Sequence, residues 1–169
     1  MDWEREVVSA LAANDVGLVA YLPDGALSGL IERLTEDPEF RTVSVTREEE
    51  AVGILSGAWL AGTRGALLCQ SSGLATTLNA IGSLNKPARI PFLGLVSRRG
   101  DLGEFNLAQV PFGYNMGAIL DEMGIRNNAI DAGDDVARRV DMAAKTTYST
   151  EEPYVLSLEA ALTGAKDEF

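Results

Sequence analysis

Three consecutive carboxylates stand where an apolar run gives way to a long uncharged segment. The junction reads Val43-Ser44-Val45-Thr46-Arg47-Glu48-Glu49-Glu50-Ala51. Acidic residues are common in the first turn of a helix, because they meet the positive end of the helix dipole. That explanation accounts for the charge. A carboxylate that enters an apolar helix is also expected to lose water, which suits a group that exchanges protons with a ligand. The junction is therefore a candidate site for acid–base chemistry.

A second polar segment, residues 70–74, follows another apolar run and reads Gln70-Ser71-Ser72-Gly73-Leu74. It precedes a helical pattern, so its backbone amides and the Ser72 hydroxyl are placed to line a ligand at the end of a strand. Ser72 could equally be a helix N-cap, a role compatible with binding.

Charged residues follow two further apolar runs. Arg98 and Arg99 are placed to pair with an anionic substrate group, although solvated surface arginines would look the same. Lys86 and Arg89 are weaker candidates of the same kind. Pro23-Asp24-Gly25 follows the first run, where such a triplet also forms an ordinary turn.

Alternating apolar runs and helical patterns position these residues. The runs rich in branched apolar residues, read as strands, are 17–21, 41–45, 66–70, 90–96, 126–130 and 154–158. Helical patterns cover 3–13, 26–34, 47–61, 74–84, 112–123 and 134–148. This alternation predicts one α/β domain over residues 1–169: a three-layer, doubly wound, six-stranded parallel sheet with helices on both faces.

Composition excludes several function classes. The formal charge of −11 opposes nucleic-acid binding. The chain has no histidine and a single cysteine, Cys69, so zinc sites and histidine triads are not expected. There is no apolar stretch of the ~20 residues that cross a bilayer, and the first residues lack the order of a secretory signal. We expect a cytoplasmic protein that makes no membrane contact.

Residues 51–62 form an uncharged stretch that reads Ala-Val-Gly-Ile-Leu-Ser-Gly-Ala-Trp-Leu-Ala-Gly. A helix that is apolar all round is expected to be buried on all sides. Its glycines would allow another backbone to approach closely. The stretch predicts either a central core helix or a helix at a subunit interface, with self-association as a further expectation.

These segments together resemble the pyrimidine-binding domains of thiamine-diphosphate enzymes, and most closely the sulfopyruvate decarboxylase α subunits. The resemblance runs through Thr46 to Gly62, Leu68 to Leu74, Asn79 to Leu84, Ile90-Pro91, Ser97 to Leu102 and Ala108 to Gly113. It covers most of the chain in order, and its specificity lies in the spacing of the motifs. Phosphonopyruvate decarboxylases are similar over the same regions, and Leu22-Pro23-Asp24 resembles their loop after the first strand.

The resemblance implies a role for one glutamate. In this family a glutamate at the start of the helix hydrogen-bonds the aminopyrimidine ring of thiamine diphosphate and promotes loss of the thiazolium proton. Counting back nine residues from Gly57 assigns this role to Glu48, with Glu49 as the alternative if the register slips by one. The cofactor-binding residues implied with Glu48 are Pro23, Gln70, Ser71, Ser72 and Gly73, and the substrate-binding residues are Asp24, Ser71, Ser72, Arg98 and Arg99.

The resemblance also implies a partner. Diphosphate-binding domains of the family carry a Gly-Asp-Gly motif followed by a spaced asparagine that together hold Mg²⁺, and Gly133-Asp134-Asp135 does not match this pattern. We therefore expect no metal site in this chain, and a β subunit that binds the diphosphate and Mg²⁺.

The expected reaction is decarboxylation of a small anionic 2-oxo acid. The absence of histidine from the loop after Arg99 favours 3-sulfopyruvate, because a sulfonate is a fixed monoanion that needs permanent cations and neutral donors. The alternatives are a phosphonopyruvate decarboxylase subunit, a non-catalytic pyrimidine-domain partner, and a general α/β binding module.

Overall fold

Six short strands form one parallel sheet in a computed structural model, which describes residues 2–164 of the chain. The strands are β1 (Val16–Tyr21), β2 (Arg41–Ser44), β3 (Arg64–Gln70), β4 (Leu93–Ser97), β5 (Arg126–Ile130) and β6 (Tyr154–Leu158). They lie in the order β2-β1-β3-β4-β6-β5, and every neighbouring pair is parallel. The predicted α/β class and strand number are confirmed.

Helices connect the strands and cover both faces of the sheet. They are α1 (Trp3–Ala13), α2 (Ser28–Glu36), α3 (Glu48–Leu60), α4 (Ser71–Ala80), α5 (Lys86–Ala88), α6 (Val110–Glu122), α7 (Val136–Thr150) and α8 (Ala160–Thr163). A π-helical turn, Ile81–Asn85, continues α4, and 3-10 turns span Gly25–Leu27 and Leu107–Gln109. Helices α1, α2 and α7 pack on one face, and α3, α4 and α6 pack on the other.

Two hydrophobic cores result because successive strand residues point to opposite faces. In β3, Ala66 and Leu68 belong to the core under α1, α2 and α7, whereas Leu67 and Cys69 belong to the core under α3, α4 and α6. Both faces of the central strands are therefore buried, which explains their continuous apolar sequences.

The chain reverses its direction across the sheet at β1. From β1 the chain moves outward through α2 to β2, and α3 then carries it back past β1 to β3 on the other side. Ligands of open α/β sheets bind at the carboxyl ends of the strands beside such a reversal. The segments at this edge are those that follow β1, β2, β3 and β4, and they contain the predicted site residues.

Some element boundaries differ from the sequence prediction. Strand β4 begins at Leu93 instead of residue 90, since Pro91 has no backbone N–H to donate to a ladder. Helix α4 begins at Ser71 instead of residue 74, and its N-cap is Gln70, so Ser72 lies inside the first turn and the N-cap interpretation of Ser72 is wrong. Strands β5 and β6 and helix α1 have the predicted bounds.

Helix α3 is buried on one side only in this chain, so the prediction of burial all round is wrong for the single subunit. Ala51, Val52 and Leu55 are buried against the sheet. Gly53 and Gly57 lie on the opposite side and are exposed, Ile54 is 36% exposed and Leu60 is 76% exposed. We call these four residues the outer face of α3. An apolar outer face is what a helix at a subunit contact would present.

Candidate active site

Glu48 is a buried carboxylate at the first position of α3, directly after β2. It is 7% exposed, and its side chain lies against the first turn of α4. A Cβ atom built on Gly73 would come within 2.6 Å of Glu48 Cδ and 2.9 Å of Glu48 Cγ. Within residues 2–164, no hydrogen bond or ion pair engages the Glu48 carboxylate. A buried carboxylate that keeps its acceptor capacity is suited to receive a donor from a ligand.

The two neighbouring carboxylates are committed to local contacts. Glu49 accepts hydrogen bonds from Arg47 Nη2 and Thr76 Oγ1, both at 3.2 Å. Glu50 reaches back to the start of the helix, where it accepts from the backbone amides of Thr46 at 3.0 Å and Arg47 at 3.2 Å. Backbone hydrogen bonding lowers the pKa of both Glu49 and Glu50. Of the three glutamates, Glu48 alone has the environment expected of an active carboxylate.

The surroundings of Cys69 show that two carboxylates of the candidate site lie near the end of β3. The thiol is fully buried, and its pKa is raised far above the ordinary value, chiefly by desolvation. The negative charges of Glu48 and Asp24 raise it further. The segments after β1 and β2 therefore converge at the carboxyl end of β3.

One buried hydroxyl, that of Ser71, holds the segment after β3 in the candidate site. Ser71 is fully buried, and its Oγ accepts a hydrogen bond of 3.1 Å from the backbone N–H of Arg99. This bond ties the start of α4 to the segment that follows β4. Gln70 and Ser72 are partly exposed, and Gln70 makes no side-chain capping bond. The structure thus brings Ser71 and Gly73 to the same edge as Glu48.

Asp24 holds the segment after β1 in place. Its Oδ1 accepts from the backbone amides of Ala26 at 2.9 Å and Leu27 at 3.2 Å, which caps the 3-10 turn. The Ser97 hydroxyl, at the end of β4, donates to the same oxygen at 3.1 Å. Pro23 precedes this cap and is exposed. Asp24 therefore fixes the turn after β1, which agrees with the interpretation of this segment as an ordinary turn.

Both arginines after β4 are held in intramolecular ion pairs. Arg98 pairs with Asp101 at 2.7 Å and with Glu159 at 3.2 Å, and its guanidinium also donates to backbone carbonyls at the start of α6. Arg99 donates to both oxygens of Glu104, at 2.7 and 3.1 Å. These pairs were not visible in the sequence, and they reduce the capacity of either arginine to bind an anionic substrate group.

Residues 99–109 form a closed loop, which we call the 99–109 loop. The Glu104 side chain is 4% exposed, and in addition to Arg99 it accepts from the backbone amides of Gly100 at 3.3 Å and Asn106 at 2.9 Å. The two ends of the loop meet where Gly100, at a φ of +84°, lies against the carbonyl group of Gln109. The Arg99 guanidinium holds the pKa of Glu104 down at about 2. This one carboxylate closes the loop.

A cavity of about 520 Å³ opens beside this loop, lined by residues that include Gly25, Ala26, Arg98, Arg99 and Glu159. It lies at the same edge of the sheet as Asp24 and Ser97. The buried Gln109 Oε1 has no hydrogen-bond partner in the described part of the chain.

Sequence reasoning did not single out Gln109, Ser97 or Glu104. The only signal available was their position at or after the end of β4.

Lys86 and Arg89 lie at the opposite edge of the sheet, before β4. Lys86 Nζ donates to the Gly124 carbonyl at 2.7 Å and approaches Glu152 at 3.4 Å. Arg89 donates to the Thr150 carbonyl at 2.6 Å. Both cations bind segments that precede strands, so the structure separates them from the candidate site.

The chain is similar in sequence to several known proteins. The chain is 34% identical over 160 residues to the sulfopyruvate decarboxylase subunit alpha of Methanococcus maripaludis, which covers 95% of this chain and 96% of the relative. The chain belongs to the sulfopyruvate decarboxylase α-subunit family. The family resemblance read from the motifs is thereby confirmed. No protein-family model matches the chain.

Two further proteins are similar to this chain, one over part of its sequence and one in its fold. Phosphonopyruvate decarboxylase of Streptomyces viridochromogenes is 40% identical over 99 residues, which are 59% of this chain and 25% of that protein. The solved structure of 2-oxoglutarate:ferredoxin oxidoreductase from Magnetococcus marinus superposes with a TM-score of 0.79 at 12% identity, over 96% of this chain and 29% of that one. That likeness shows a shared fold. Among residues 2–164, no helix has the length and apolar character needed to span a bilayer.

Proposed function

We propose that this chain is the α subunit of a thiamine-diphosphate-dependent decarboxylase that converts 3-sulfopyruvate into sulfoacetaldehyde and carbon dioxide. The observation that carries the proposal is Glu48, a buried carboxylate without a hydrogen-bond partner among residues 2–164, at the strand reversal of a chain from this family. The site residues and their roles are part of the proposal.

The residues around Glu48 fit the aminopyrimidine end of the cofactor. The carboxylate offers a free acceptor to a ring N–H, and Gly73 leaves the surface of α4 open beside it. Backbone groups of Pro23 and of Gln70–Gly73 are the other candidate contacts, because they lie at the same edge of the sheet. Thiamine diphosphate, when bound, supplies the carbon nucleophile and the electron sink for loss of carbon dioxide.

The role of Glu48 is to hold and exchange one proton at the pyrimidine ring nitrogen. This exchange needs the Glu48 carboxylate within hydrogen-bond reach of the ring nitrogen. Ser71 and Asp24 position the surrounding segments by bonding to the Arg99 amide and to Ser97. The Ser72 hydroxyl is the neutral donor of this edge that we assign to the substrate.

The diphosphate and Mg²⁺ are assigned to a partner β subunit. Relatives of this chain are named as alpha subunits, which implies a second subunit in those enzymes. Within residues 2–164 no group of three or more metal-binding side chains comes together. Both arginines at the site are already paired with carboxylates. We infer that the outer face of α3 contributes to this assembly or to self-association.

The assignment of 3-sulfopyruvate is supported by the extent of similarity. The sulfopyruvate decarboxylase subunit matches 95% of this chain, while the phosphonopyruvate decarboxylase matches 59%. The lack of histidine agrees with a substrate that carries a fixed charge. Phosphonopyruvate remains the second candidate, because a phosphonopyruvate decarboxylase is 40% identical over 99 residues of this chain. A non-catalytic pyrimidine domain would have no need of the free carboxylate at Glu48.

Decarboxylation by the complex of this chain with its β subunit tests the proposal. We expect Glu48→Gln to lower the rate on the order of 10²-fold or more, because the proton partner of the ring is lost. Glu49→Gln is the matched control and should stay close to the wild-type rate. An inactive Glu49→Gln beside an active Glu48→Gln would show that the register is wrong. The ratio of kcat/KM for 3-sulfopyruvate and phosphonopyruvate decides the substrate, and the chain alone should show no turnover.

A further inference from the structure

Gly73 has no side chain at a point where any side chain would collide with Glu48. The three nearest atoms to a Cβ built on Gly73 all belong to Glu48, and a Cβ closer than 3.0 Å to another atom is essentially never found in proteins. Gly73 does not need a left-handed backbone conformation, because it lies inside α4. Glycine is a poor helix former, so its presence in the first turn calls for another reason. The contact with Glu48 provides one.

The contact with Gly73 holds the Glu48 carboxylate in place by packing, without a hydrogen bond. Glu49 and Glu50 are fixed through hydrogen bonds, which use their oxygens. Glu48 is held between α3 and the bare backbone of α4, with 7% of its surface exposed. Packing restricts the side chain to few rotamers without occupying the acceptor sites. A carboxylate held in this way is both ordered and available.

We propose that Gly73 is a positioning residue for Glu48. The glycine seats the carboxylate so that it points at the ligand, and it takes no part in the proton exchange. This inference rests on the proposed function, in which Glu48 serves the pyrimidine ring. A methyl group at position 73 would push the carboxylate out of place, and a displacement of about 1 Å at a reacting group can cost on the order of 10²-fold in rate.

Thermal unfolding of the full chain tests the contact without cofactor or partner. In an open helical position, Gly→Ala should raise Tm by about 2–4 °C, and Gly53→Ala is the matched control because a Cβ there meets nothing within 4 Å. Gly73→Ala should lack this increase, because the Glu48 side chain must move to make room for the added methyl group. In a Glu48→Ala background, Gly73→Ala should raise Tm as the control does. An increase in Tm by Gly73→Ala in both backgrounds would overturn the proposal.

Kinetics of the complex with the β subunit test the positioning role. We expect Gly73→Ala to lower kcat on the order of 10²-fold while KM for 3-sulfopyruvate changes by less than about threefold, because substrate binding does not need the carboxylate in its active orientation. Gly133→Ala, where a Cβ also meets nothing within 4 Å, is the activity control. An unchanged kcat in Gly73→Ala would refute the positioning role. A wild-type complex without decarboxylase activity would refute the proposed function, and the unfolding cycle would still decide whether Gly73 seats Glu48.

Discussion

The ion pair that closes the 99–109 loop predicts a specific dependence of stability on pH. Glu104 accepts two hydrogen bonds from the Arg99 guanidinium and two from backbone amides. Because the pKa of Glu104 is lowered from 4.5 to about 2, its ionised form stabilises the folded chain by on the order of 3 kcal/mol at neutral pH. Its side chain is 4% exposed and that of Arg99 is 19% exposed, so screening by solvent is weak.

The sign follows from the direction of the pKa change. A carboxyl with a lowered pKa in the folded state contributes its full stabilisation above the unfolded pKa of 4.5, and the contribution falls as the pH drops towards about 2. About half of it should remain at pH 3. Glu104→Gln removes the charge and keeps the size of the side chain. The variant should therefore be less stable than wild type by about 3 kcal/mol at pH 7 and by about half of that at pH 3.

Urea unfolding of both proteins at the two pH values gives the difference directly. Glu122→Gln is the control, because Glu122 is exposed, and it should change the free energy of unfolding by less than about 0.5 kcal/mol. Hydrogen exchange at the Gly100 and Asn106 amides should accelerate in Glu104→Gln, since both donate to the carboxylate. A stability difference that is the same at pH 7 and pH 3 would refute the reasoning.

Three other substitutions probe the fold and its assembly. Leu60→Asp, at a site that is 76% exposed, should change the free energy of unfolding of the chain by less than about 0.5 kcal/mol but weaken association, as seen by sedimentation velocity. Tyr148→Phe removes the hydroxyl that donates to the Gly65 carbonyl at 3.0 Å and should cost about 1–2 kcal/mol in urea unfolding. Ser97→Ala removes one of the three donors to Asp24 Oδ1 and should cost about 1 kcal/mol, while loss of more than about 3 kcal/mol would mean that the other two donors do not hold the turn.

Local sequence patterns were sufficient to predict the strands and helices that form the layers of the fold. Strands β5 and β6 and helix α1 had clear apolar patterns with polar boundaries, so their predicted bounds agree with the structure. The edge of the sheet that carries the site was predictable too, because parallel strands bring their carboxyl ends together. A predicted boundary was wrong where a single residue prevents the structure that the apolar pattern indicates, as Pro91 does before β4.

Contacts between distant segments could not be predicted from local patterns. Arg98 pairs with Glu159, which lies 61 residues further along the chain, and nothing in either local sequence indicates that pair. The surroundings of Glu48 and Glu49 also differ only in three dimensions, since one residue along a helix turns the side chain by about 100°. The sequence also could not decide whether the second side of α3 is covered by the same chain or by another subunit, and in this chain that side is exposed.

The buried thiol of Cys69 gives this protein a built-in chemical reporter. It is the single cysteine of the chain, it lies in the central strand β3, and its raised pKa leaves almost no reactive thiolate in the folded state. A thiol-specific label can therefore attach only while β3 is open, so the labelling rate measures how often the middle of the sheet separates. Because β3 ends beside Glu48 and Asp24, any ligand that bridges the neighbouring segments should slow that rate, and occupancy of the site can be followed by mass spectrometry without measuring turnover.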